Sequence, residues 1–159
     1  MKKILSTITI VSLILYSPRI VLASEEISNE KATHLSDSAE ISSVTTSQGA
    51  THRFKVHVRE NPLSEVTIDL PEKVETLEEI KVIDTNGRQL ATEINIDNGI
   101  ATLAFSQPVP VNTIVSIKMY GVKDSGVSNR NWLYRVYGKE VGLTENIPFG
   151  TAEVRTHRR

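Results

Sequence analysis

The stretch His52–Pro71, HRFKVHVRENPLSEVTIDLP, carries the reading on which the fold rests. Phe54, Val56 and Val58 alternate with Lys55, His57 and Arg59. Successive side chains of a strand point to opposite faces, so this is a half-buried strand, apolar inward and cationic outward. Asn61-Pro62 breaks it. Val66, Ile68 and Leu70 then alternate with Thr67 and Asp69, and Pro71 stops a second strand. His52 and His57 look at first sight like metal ligands or catalytic bases. They are an odd number of positions apart, so one regular strand sends them to opposite faces, with His52 on the side of Phe54. A metal site needs three or four convergent ligands. His34 and His157 are far off in sequence, so the histidines read as scattered surface residues and no metal site is expected.

The same grammar continues. Ile80–Asp84 is a third strand, and Asn86-Gly87 signals a type I′ hairpin, in which both central residues need positive φ. Leu90–Ile96 is the expected return strand. Asp97-Asn98-Gly99 turns again into Ile100–Phe105, and Pro108 and Pro110 mark a loop. Ile114–Tyr120 is the sixth strand, residues 121–131 a polar loop, Asn131–Gly138 the seventh and Ile147–Arg155 an eighth. Val74–Glu79 could form one helical turn. Seven to eight short strands with turn residues between them and no long helix predict an all-β antiparallel sandwich of immunoglobulin-like type.

The ends read differently. Met1-Lys2-Lys3, the apolar run ILSTITIVSLIL and the small residues Val21 and Ala23 have the anatomy of a secretory signal peptide over 1–23. Pro18 and Arg19 interrupt the run before the roughly 20 residues of a membrane span, so an uncleaved anchor is the lesser alternative. Residues 24–51 are rich in Ser, Thr, Glu and Asp with no sustained period, and are expected to be a disordered polar spacer. The β-sandwich is expected over 52–155, with a basic tail over 156–159. Loss of Lys2, Lys3 and Arg19 leaves 15 basic residues against 19 acidic ones, a net charge near −4. That balance argues against nucleic acid as a partner, which needs a basic field. The 159 residues contain no cysteine, which excludes disulfides, a thiol nucleophile and a thiolate metal site.

Taken in order, FKVHV, NPLSEVTIDLP, FSQPVPVNTIVSIKMYGV, WLYRVYG and IPFGTAEV make the chain similar to a group of exported cyanobacterial proteins catalogued as domain of unknown function 2808. The resemblance spans about residues 52–155. It implies an exported all-β protein and brings no activity, cofactor or catalytic residue with it. One departure is that Asp124–Asn131 has no proline, where that family often carries an Asn-Pro pair.

Nothing in the sequence assembles a catalytic set. Asp124-Ser125-Gly126 lacks a nucleophile elbow and reads as a turn. Glu72, Glu75, Glu78 and Glu79 read as a solvated acidic edge, and Asp84–Gly87 as a hairpin turn in place of a calcium loop. Trp132 and Tyr134 are expected inside the sandwich. Tyr120 and Tyr137 beside Arg135 are the candidate partner-binding platform, able to stack on a sugar or grip a protein, with the 121–131 loop as its wall. The expected function is therefore a non-enzymatic, periplasmic or extracellular domain. It would bind a partner protein or envelope glycan, need no cofactor, and not be an integral membrane protein after signal cleavage. The alternatives are a copper-type metal-handling sandwich using His52 or His57, and an enzyme of unknown chemistry built on the 121–131 loop.

Overall fold

A computed structural model describes residues 32–37, 43–44, 49–72, 74, 77–123 and 130–157. They form ten strands: β1 His34–Asp37, β2 Ser43–Val44, β3 Ala50–His57, β4 Leu63–Asp69, β5 Glu79–Ile83, β6 Thr92–Asp97, β7 Ile100–Val109, β8 Ile114–Val122, β9 Arg130–Glu140 and β10 Ile147–His157. Two sheets result, ordered β1-β3-β8-β5 and β2-β10-β9-β4-β7-β6. All pairings are antiparallel except the short parallel contact of β2 with β10. The expected all-β sandwich is the observed architecture.

The alternation in the sequence sets what lies between the sheets. Phe54 and Val56 on β3, Val58 just beyond it, Val66 and Ile68 on β4, and Val115, Ile117 and Met119 on β8 are all buried, together with Trp132, Tyr134 and Val136 on β9. Burial of each such side chain contributes about 1.5–3 kcal/mol, and without disulfides this packing carries the domain.

Several expectations need correction. The stretch taken as a structureless spacer supplies β1 and the two residues of β2. Leu35 lies against the core, and buried Thr33 donates its hydroxyl to Glu140 Oε1 at 2.5 Å. Glu140 Oε2 accepts from Asn61 Nδ2 at 3.0 Å, so a buried carboxylate ties the N-terminal segment to the β3–β4 turn. At Asn86-Gly87 only Gly87 has positive φ, 78°, so the turn is not type I′. Asp84 takes over instead: its Oδ1 accepts from the amides of Asn86 and Arg88 at 2.8 and 2.9 Å. The type I′ geometry appears at the second Asn-Gly, where Asn98 and Gly99 have φ of 49° and 77°.

The return strand also behaves differently. Gln89 and Leu90 pair briefly with β5, then the chain crosses and Thr92–Asp97 joins the other sheet beside β7. β7 does not stop before Pro108 but runs to Val109, through an irregularity opposite Ser64 where a missing amide breaks no regular ladder. No helical turn is found at the described residues of Val74–Glu79; Val74 N–H closes a turn onto the Pro71 carbonyl at 2.9 Å. β10 extends through Arg155 to His157, into the expected tail. The signal segment and most of the 121–131 loop lie outside the described residues. Among the described residues no helix is long and apolar enough to cross a membrane.

Candidate functional site

The candidate platform of Tyr120, Arg135 and Tyr137 is divided by the fold. Tyr120 is on β8, half-buried on the outer face of the four-stranded sheet, with Lys81 Nζ 5.4 Å from its ring centroid. Arg135 and Tyr137 are on β9, on the outer face of the six-stranded sheet. The two outer faces of a sandwich look away from each other, so the three residues do not share one surface. Arg135 is exposed and its Nε lies 3.6 Å from Asp69 Oδ2.

The histidines separate as strand parity requires. His57 is on the outer face, opposite His34 of β1, with ring centroids 5.7 Å apart. Burial, then the charges of Arg59 and His34, hold its pKa below the ordinary value. His52 is not a surface residue as expected. It is fully buried, its Nδ1 lies 2.6 Å from the Tyr134 hydroxyl, and its ring stands at 62° to Trp132. Burial lowers its pKa to about 4 and pushes the Tyr134 phenol up. A neutral imidazole accepting from the phenol satisfies both groups at that contact. Both side chains lie wholly inside the sandwich. The parity of His52 with Phe54 on β3, and that of Tyr134 with Trp132 on β9, were the signals for their place in the core.

The acidic candidates are also engaged locally. Glu79 lies 3.1 Å from Lys81 Nζ, and Glu78 3.8 Å from Lys123 Nζ. The Asp84 carboxylate bonds its own turn and also takes Arg88 Nε and Nη2, each at 2.9 Å. The backbone bond from Arg88 is the main cause of its lowered pKa, which burial opposes. Among the described residues no three His, Asp or Glu converge as metal ligands. Ser125 lies outside the described residues.

The surface that the sequence did not point to is the free edge of the six-stranded sheet. β6 ends the sheet order, and all its residues but Thr92 are exposed. Ile94 and Ile96 are paired with the buried Leu103 and Ala101 and face inward, yet are 38% and 46% exposed. The shorter opposing sheet does not cover them. Two clefts open along this side, one of about 620 Å³ bounded by Val82, Leu90 and Ile94, the other of about 680 Å³ bounded by Leu70, Leu77 and Ile96. Ser106 N–H bonds the Ala91 carbonyl at 3.0 Å, which fixes the phase of the ladder. Glu93, Asn95 and Asp97 therefore direct their backbone groups to β7, and Thr92, Ile94 and Ile96 direct theirs outward.

Residues 26–128 match the family described as protein of unknown function DUF2808. The chain belongs to that family. The match begins inside the stretch read as a spacer, in keeping with the strands found there, and ends before β9. No curated protein matches the DUF2808 chain. Among solved structures it is similar to the collagen-binding domain of a Staphylococcus aureus adhesin, at 10% identity and a TM-score of 0.41 over 79% of this chain and 96% of that one. It is also similar to the major pilin subunit BcpA of Bacillus cereus, at 12% identity and a TM-score of 0.45 over 77% of this chain and 39% of that one. A third is the C-terminal domain of the Streptococcus pyogenes antigen I/II-family protein AspA, at 16% identity and a TM-score of 0.45, covering 79% and 46%. The chain spans less than half the length of the last two.

Proposed function

We propose that this DUF2808 protein is an exported, non-enzymatic binding domain that takes an extended segment of a partner protein onto the β6 edge. The observation that carries this reading is the outward row of backbone groups at Thr92, Ile94 and Ile96, which have no strand partner among the described residues, above a half-exposed apolar row. An unblunted edge strand is a template for another strand, and β6 has no proline, lysine or bulge of the kind that discourages pairing. Glu93 and Asp97 flank the edge on the solvent side, which favours a partner segment alternating apolar with basic residues. The burial of His52 against Tyr134 supports a non-enzymatic reading, because it makes the strongly shifted histidine part of the core.

The test is recovery of partners from an envelope extract by the tagged protein and by Ile94→Pro. Proline at this position removes an amide that points away from β7, so it blocks the edge and leaves the ladder intact. Loss of a recovered partner in the variant, with its melting temperature little changed, is the expected result. The reading fails if the protein is recovered alone, or if both forms retain the same partner equally.

A further inference from the structure

The two outer faces of the sandwich are charged on different plans. On the six-stranded sheet, acid stands opposite base: Glu65 pairs with Lys139 and Asp69 with Arg135 across β4 and β9. On the four-stranded sheet, cation stands opposite cation. Arg53 of β3 pairs with Lys118 of β8, and Lys118 pairs with Lys81 of β5, so three cations lie side by side in one row. Neighbouring strands are about 4.8 Å apart, so the row spans about 10 Å. Lys55 continues the same face along β3, and Arg59 follows just beyond the strand's end. Like charges directly opposite each other destabilise a sheet. Among the described residues, neither Arg53 nor Lys118 has an acid within ion-pair distance, and Lys81 has Glu79 at 3.1 Å. The other acid in register is Asp37, opposite Lys55 at the β1 edge. The chain is acidic overall yet carries a cationic face.

We infer that the outer face of the four-stranded sheet binds an acidic polysaccharide along the row Arg53–Lys118–Lys81. A row of cations on an open, flat sheet suits a linear polyanion, which can lay successive charges on successive strands. A small anion would need an enclosing pocket. Tyr120 follows Lys118 on the same face, with its ring beside Lys81, and offers an aromatic surface to the apolar side of a sugar ring. The cost of the like-charge row is offset when carboxylates of the glycan lie over it, and the counterions released make binding fall with salt. This inference shares with the proposed function only the exported location; it uses the opposite sheet, and the β6 edge takes no part in it.

The test measures binding of the purified protein to immobilised polygalacturonate, with neutral dextran, single-stranded DNA and phosphatidylglycerol vesicles as comparisons. Polygalacturonate should bind, dextran should not, and affinity should drop steeply between low and physiological salt. The triple variant Arg53→Gln, Lys81→Gln, Lys118→Gln should lose about tenfold or more in affinity. It should also melt no lower than the parent, since it relieves repulsion. A charge-matched triple on the other sheet, Arg135→Gln, Lys139→Gln, Arg155→Gln, should bind nearly as the parent does, and Ile94→Pro should have no effect. The inference is overturned by absence of polygalacturonate binding, by equal losses in the two triples, or by tighter binding of the DNA or the vesicles.

Discussion

Acid should weaken this fold through a single core side chain. His52 is fully buried with Nδ1 2.6 Å from the Tyr134 hydroxyl, and burial takes its pKa from 6.5 to about 4. The folded state holds it neutral, whereas the unfolded chain lets it protonate at its ordinary value. Protons are then bound preferentially by the unfolded state, so stability falls as pH falls. The contribution is complete above about pH 6.5 and is lost progressively down to about pH 4. Linkage between those two values amounts to about 2 kcal/mol between pH 7 and 5, and about 3 kcal/mol by pH 4. In a domain of this size the first of these corresponds to a fall of about 10 °C in Tm. Urea unfolding at pH 7, 6 and 5, for the parent and His52→Phe, measures it. The phenylalanine preserves an aromatic ring against Trp132 and leaves the Tyr134 hydroxyl without its partner, so the variant starts less stable. The informative quantity is the slope. The variant should lose much less than the parent between pH 7 and 5. Equal slopes, or an NMR titration placing the His52 imidazole near 6.5, would refute the reasoning.

Three further outcomes follow from the packing. In Gly138→Ala the new Cβ would lie 2.1 Å from Phe149 Cε2 and 3.0 Å from the Glu65 carbonyl oxygen; the variant should be destabilised by about 1–3 kcal/mol in urea unfolding, and partly restored by Phe149→Leu. Glu140→Ala strands the Thr33 hydroxyl and the Asn61 amide that its carboxylate now satisfies; about 1–3 kcal/mol should be lost, and limited proteolysis should cut faster near β1. Asp84→Ala removes the acceptor that organises the β5 turn and should lower Tm at neutral pH. Because its folded pKa is lowered, Asp84 contributes stability above its unfolded pKa that is lost as pH falls through the folded value, so the variant's Tm should fall less steeply than the parent's in that acid range.

Strand parity made the core legible. Phe54, Val56, Val58, Val66 and Ile68 are buried as their alternation requires, and the same rule put His52 and His57 on opposite faces. Parity also placed His52 beside Phe54, but residue type suggested a surface histidine; a phenol on β9 reversed that preference by supplying its hydrogen-bond partner. Asn86-Gly87 and Asn98-Gly99 are the same dipeptide with different geometry, because the Asp84 carboxylate captures the first turn. The Thr33–Glu140 bond and the row Arg53–Lys118–Lys81 depend on pairings distant in sequence, and so does the crossing of Leu90–Ile96 between sheets, because its hairpin partner β7 is drawn to β4. The outward run Arg53, Lys55, His57, Arg59 was visible in the sequence, but the lysines that complete the cationic face were not connected to it until the register was known. Tyr120 and Tyr137 were grouped by alternation alone, which identifies an outer face without saying which sheet it belongs to.

The most direct test of the account is site-specific photocrosslinking in the native envelope. A photoreactive residue at position 96 sits on the open β6 edge, and one at Thr151 sits on the exposed face of β10. The account predicts a discrete crosslinked protein from position 96 that disappears when Ile94→Pro is added, with no such product from position 151. Equal labelling from both positions, or a product from position 96 that survives Ile94→Pro, would contradict it.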